Sequence, residues 1–252
     1  MSSEKSSWII DRPIEGAALV DTRPRSAYLA GHLEGALSLN LSHPMPRLRT
    51  EADFAAFEKA LAELIGQLGL GVDGRPVVLY DEGLTPRLCL TAYFLGLGGL
   101  DVYLWPKGWE NRTLQTSAPS PEPTQPSVRL RREWLLTADE AVRYPRLYDV
   151  RSFEEYVGIT HAPCCPKGGR IPGARHAPLP LFYEPDGLLD RIGLKPGEEA
   201  GVYCHSGSRS AVAFFVLRQL GVQARNYLGS MHEWLREGFP VETGQPEEAE
   251  RT

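Results

Sequence analysis

The chain repeats itself, and this repetition limits the possible folds more than any single motif does. Ala18-Leu19-Val20-Asp21-Thr22-Arg23 returns as Arg146-Leu147-Tyr148-Asp149-Val150-Arg151, and at the same offset Tyr28 answers Tyr156. Gly31-His32-Leu33-Glu34-Gly35-Ala36 returns as Gly169-Arg170-Ile171-Pro172-Gly173-Ala174, and Val78-Leu79-Tyr80-Asp81 as Gly201-Val202-Tyr203-Cys204. The blocks keep their order, so the 252 residues read as two copies of one domain. The second copy gains ten residues before Gly169 and lacks fifteen between Gly173 and Cys204.

Within each copy, short apolar runs bounded by turns (17–20, 77–80, 147–150, 201–203) alternate with helical segments. This pattern predicts an α/β fold, a mostly parallel sheet with helices on both faces in each of two tandem domains. The residues missing from the second copy correspond to a helix in the first, where Thr50 to Asp53 reads as a capping box. Phe54, Phe57, Leu61, Leu64, Ile65 and Leu68 follow at helical spacing. The boundaries expected are a first domain over 8–112, a proline-rich linker over 113–127, a second domain over 128–243 and a polar tail over 244–252.

A net charge of −5 offers no basic surplus for nucleic acid, and no uninterrupted apolar stretch is long enough for a membrane span. The first residues carry no apolar signal segment, so a cytoplasmic location is expected. Four cysteines do not make a disulfide framework in a chain of this size.

Chemistry concentrates after Tyr203, in Cys204-His205-Ser206-Gly207-Ser208-Arg209-Ser210, followed by the apolar run 211–217 that reads as a buried helix. A short strand-to-helix loop with a glycine and serines lets successive N–H groups point inward and bind an anion, with the helix N-terminus adding positive charge. A cysteine opening that loop is favoured as thiolate by the amides and by Arg209. Such a thiolate can take a sulfane sulfur, hold it as a persulfide and pass it on. The loop is one residue shorter than the Cys-x5-Arg ring of cysteine-dependent phosphatases, which argues against phosphate-ester chemistry.

The short loop, the stretch Asp149 to Tyr156 and the stretch Gly169 to Ala174 together resemble the rhodanese family of sulfurtransferases, over roughly residues 19–238. The resemblance implies Cys204 as persulfide carrier, with substrate bound by His205, Ser206, Gly207, Ser208, Arg209 and Ser210. Asp149 and Arg151 would support the strand end, and Asp81 would mark an inactive first domain. It further implies a small anionic sulfur donor, thiosulfate or a related sulfane, and cyanide or a thiol as acceptor, with no cofactor and no metal. A 3-mercaptopyruvate sulfurtransferase, or a persulfide carrier that delivers sulfur to an accepting protein without turnover, is the alternative. His205 and Ser206 match neither the basic residues of thiosulfate users nor the Gly-Ser/Thr of mercaptopyruvate users, and Glu155 falls where thiosulfate users often have arginine. Arg170 and His176 are candidates for a cationic wall beside Arg209.

Blander readings stand beside these. Cys89 lies in an apolar helical run and reads as core. Trp105, Trp109 and Trp234 read as packing residues. Arg209 could instead pair with an acid at the domain interface. Cys164-Cys165, with His161 nearby, matches no zinc spacing and reads as loop filler ahead of a metal or redox pair.

Overall fold

The computed structural model describes residues 7–41, 46 and 48–245. Residues 7–41 and 50–131 form one compact unit, and residues 132–245 belong to a second. The end of the polar tail beyond Gln245 lies outside the described residues.

The first unit runs β1 (Ala18–Asp21), α1 (Arg25–Ala30), β2 (Leu37–Ser38), α2 (Glu51–Gln67), β3 (Val77–Asp81), α3 (Pro86–Leu97) and β4 (Val102–Pro106). Its sheet is parallel throughout, in the order β2-β1-β3-β4. Thr50 caps α2 in a reciprocal box with Asp53, and Phe54, Phe57, Leu61 and Ile65 form its buried face, as the spacing predicts. Cys89 is buried within α3. Residues 113–127 hold no helix or strand but are anchored: Gln115 exchanges backbone hydrogen bonds with His32, and Thr124 donates from its amide to Gly66 O and from Oγ1 to Leu70 O.

The second unit runs β5 (Leu135–Leu136), α4 (Ala138–Ala141), β6 (Leu147–Asp149), α5 (Phe153–Val157), β7 (Arg175–His176), α6 (Leu188–Ile192), β8 (Glu199–Tyr203), α7 (Ser208–Gln219), β9 (Gln223–Tyr227) and α8 (Ser230–Arg236). Its strands are also all parallel, in the order β5-β9-β8-β6-β7. Ala211 to Leu217 are buried along α7, and Trp234 and Tyr227 meet edge to face in the core. These are two α/β domains, each a parallel sheet flanked by helices.

The sequence repeat reappears as a repeat of hydrogen bonds. In the first unit Arg23 forks onto Asp21 and donates to Gly31 O; in the second Arg151 forks onto Asp149 and donates to Gly169 O at 2.7 Å. Tyr28 OH donates to Ala36 O, and Tyr156 OH to Ala174 O, both at 2.8 Å. Tyr80 OH accepts from Leu33 N, and Tyr203 OH from Ile171 N, both at 3.1 Å. Gly35 and Gly173 take left-handed φ values of 71° and 74° at matching turns. The two signature blocks therefore do one physical task, fastening the turn before β2 to the end of β1 in the first unit and the turn before β7 to the end of β6 in the second.

Both members of the Asp149–Arg151 pair are buried. Removing the cation leaves an uncompensated carboxylate, so Arg151→Ala is expected to lower the unfolding free energy by about 3–5 kcal/mol. Urea denaturation checks this, and a loss below about 1 kcal/mol would contradict the buried-pair account.

Candidate active site

β8 ends at Tyr203, which lies opposite Asp149 of β6, and Cys204 is the next residue. It therefore sits at the carboxyl end of an interior strand of a parallel sheet, where ligands of such sheets bind. Four residues separate Tyr203 from the first residue of α7, Ser208. Gly207 makes the short connection work: its φ is +83°, and a Cβ there would lie 2.7 Å from Leu228 Cδ1 and 2.8 Å from Leu228 O. Any other residue would push the loop off β9 and its following turn.

Cys204 is fully buried. Its Sγ faces the Ser210 hydroxyl, which donates to it at 3.5 Å from one turn into α7. Its amide donates to Ser230 Oγ at 3.1 Å, and its carbonyl accepts from Met231 N, so both backbone groups are held by the start of α8. Ser230 adopts a left-handed φ of 50°, an uncommon conformation for serine, while its hydroxyl donates to Tyr227 O. Asn226 Nδ2 donates to Gly207 O and steadies the far side of the loop. Among the described residues none accepts a hydrogen bond from the main-chain N–H of His205, Ser206, Gly207, Ser208, Arg209 or Ser210. Six consecutive donors along the turn and the first residues of α7 therefore have no acceptor among the described residues.

Arg209 is engaged by a carboxylate. Its guanidinium forks onto Glu155 at 2.7 and 2.9 Å, an acid of α5 in the same unit. Burial opposes its charge, but Glu155 and the nearby Cys204 hold it protonated more firmly than usual. Burial would likewise raise Glu155, yet Arg209 and the Ser152 amide bring its carboxyl below its ordinary range. Arg170 and His176 are also engaged internally. Arg170 is buried, donates to Gly244 O and lies over the Tyr156 ring; His176 Nε2 meets Arg151 O at 3.0 Å and its ring stacks on Tyr156. Asp149, opposite Tyr203 in the sheet, and Arg151 are bonded to each other.

Cys164 and Cys165 are closer to this loop than their spacing suggests. Cys164 Sγ lies 3.4 Å from His205 Nε2 and 3.9 Å from His232 Nδ1, and Cys165 Sγ lies 3.8 Å from His205 Nδ1. Burial, followed by the adjacent Cys164, pushes the Cys165 thiol up to about 11. Burial and neighbouring cations lower His205 and His232.

The matching position of the first unit is filled differently. Asp81 ends β3, and its carboxylate accepts a fork from Arg87 together with the Thr22 and Thr85 hydroxyls and the Glu82 amide. Although burial works against its charge, these donors hold it below the ordinary carboxylate range. Trp109 Nε1 donates to its carbonyl.

Sequence reading missed Ser230, Asn226 and His232, which reach the loop from the far end of the second unit. Glu155 had a local signal, the capping box it forms with Ser152 at the start of α5.

The Rhodanese-like domain family matches residues 7–113 and again 132–237. The chain belongs to the rhodanese family, with two copies of its domain. It is 31% identical over 254 residues to the sulfur carrier protein TtuD of Thermus thermophilus, covering 86% of this chain and 87% of that one. It is 32% identical over 255 residues to a protein of Mycolicibacterium smegmatis described as "Putative thiosulfate sulfurtransferase", covering 87% and 88%. A crystal structure described as that of a "Probable Thiosulfate Sulfurtransferase" is 64% identical, with a TM-score of 0.87, and covers 92% of this chain and all of that one. Among the described residues no helix is long and apolar enough to cross a membrane.

The Arg209–Glu155 pair has a pH signature. A carboxyl held below its unfolded value of about 4.3 contributes stability above that pH and loses it as pH falls through the folded value. Glu155→Gln, which can keep the cap through its amide oxygen, is expected to cost about 1 kcal/mol at pH 7. The difference from the parent should shrink in urea denaturation near pH 3; a gap independent of pH would argue against the ion pair.

Proposed function

We propose that the protein is a sulfurtransferase in which Cys204 carries a sulfane sulfur as a persulfide. The observation that carries this reading is the run of six unpartnered amides, from His205 to Ser210, around a buried cysteine at a strand end. An anionic sulfur bonded to Cys204 Sγ would find donors there without a free cation.

The chemistry balances in two steps. The Cys204 thiolate attacks the outer sulfur of thiosulfate, the S–S bond breaks, and sulfite leaves with the bonding pair. Cyanide or a thiolate then attacks the outer persulfide sulfur, and Cys204 leaves as thiolate. The Ser210 hydroxyl, already on Sγ, would stabilise that leaving group. Thiosulfate or a related sulfane is favoured as donor by the relatives' descriptions, and 3-mercaptopyruvate is the alternative donor. Because Glu155 balances Arg209, we expect donor binding to rest on amides and hydroxyls more than on net charge. Similarity to a sulfur carrier protein favours a second reading, in which the persulfide is delivered to a protein partner without small-molecule turnover.

Incubation with thiosulfate and then cyanide separates the readings. Continuous thiocyanate formation, reduced to the uncatalysed rate in Cys204→Ser, is the expected result, with one added sulfur on Cys204 by intact-mass measurement. A single loading event without turnover would favour the carrier. Undiminished turnover in Cys204→Ser would remove the proposal.

A further inference from the structure

Three potential metal-ligating side chains converge at the edge of the loop: Cys164 of the inserted stretch, His205 next to Cys204, and His232 on the first turn of α8. Their ligand atoms all lie within 4.8 Å of one another. A tetrahedral zinc ion with Zn–S near 2.3 Å and Zn–N near 2.0–2.1 Å places a sulfur and a nitrogen ligand about 3.6 Å apart. The Cys164 Sγ separations from His205 Nε2 and His232 Nδ1, 3.4 and 3.9 Å, bracket that value.

From this geometry we infer that Cys164, His205 and His232 form a binding site for a divalent ion of borderline softness, Zn²⁺ foremost. Thiolate with two imidazoles suits zinc, and three protein donors leave a fourth position for water or a small sulfur anion.

The surroundings organise the donors before an ion arrives. His232 N donates to His205 O at 2.9 Å, which fixes the spacing of the two histidines along the backbone, and their rings stand nearly perpendicular at 88°. Cys165 Sγ lies on the Nδ1 side of His205, at 3.8 Å, where it can receive that N–H and leave the Nε2 lone pair turned toward Cys164. Cys165 is therefore an outer partner that orients a ligand. Cys164 is exposed, so the ion has a path from solvent. The stretch supplying both cysteines belongs to the length the second copy has gained, so the first copy has nothing equivalent.

Cys164 would bind the ion as thiolate, with no change of oxidation state. The ion would join three segments of the second unit, the insertion, the Cys204 loop and α8, and fix the residue that follows Cys204. The site is independent of whether Cys204 carries sulfur.

Cobalt is a spectroscopic probe for such a centre. The full chain, stripped by chelator and titrated with Co²⁺, is expected to bind one ion. The spectrum should combine four-coordinate d–d bands with a near-ultraviolet thiolate-to-cobalt charge-transfer band, and Zn²⁺ should displace both. Cys164→Ser should abolish the charge-transfer band with unchanged circular dichroism, and His232→Ala should weaken Zn²⁺ binding by more than about tenfold. Cys165→Ala and Cys204→Ser should keep the band. Loss of the band in either of those, its survival in Cys164→Ser, or the absence of one-to-one binding overturns the assignment.

Discussion

The second unit depends on a buried ion pair between residues only two apart. Asp149 ends β6, and Arg151 folds back onto it while Nη2, already donating to that carboxylate, also reaches Gly169 O. That reach makes the pair more than local: it closes the chain segment from α5 to Gly169, whatever its length. The first unit closes a much shorter segment with the same atoms, through Arg23 and Gly31 O. Since the clamp grips both ends, the second copy can carry added residues there without disturbing the sheet. A buried pair of this kind adds little net stability, but neither half can be lost alone.

This construction explains why the fold was legible in the sequence. The repeated aspartate, arginine, tyrosine and glycine positions are groups whose hydrogen bonds must be satisfied in a fixed geometry, so they recur as recognisable letters. The buried face of α2 and the apolar run of α7 were readable because burial imposes period and length. Other parts were not. His232 and Cys164 are 68 residues apart, and no spacing rule connects donors brought together by tertiary packing. Ser230 serves Cys204 through an unusual backbone angle, which a serine codon does not announce. The role of Arg209 turned on Glu155, a partner 54 residues away.

That pairing alters the electrostatics expected of the loop. A free guanidinium would attract any dianion, whereas a forked Arg–carboxylate pair presents almost no net charge and a fixed shape. Amide donors fixed by Gly207 and the start of α7 then contribute the remaining polarity. Such donors are short-range and directional, unlike a free charge.

The strand end of the first unit shows how such a position closes. Asp81 is surrounded by Arg87, Thr22, Thr85 and the Glu82 amide, and its negative charge is the reason these donors gather there. A thiol placed at that position in isolation would inherit a guanidinium and two hydroxyls arranged for a carboxylate, with no carboxylate to meet them. Exchanging the carboxylate alone would therefore strand the guanidinium, and the two are best replaced together. At this strand end carboxylate and guanidinium neutralise each other, so the position is already filled by its own counter-charge.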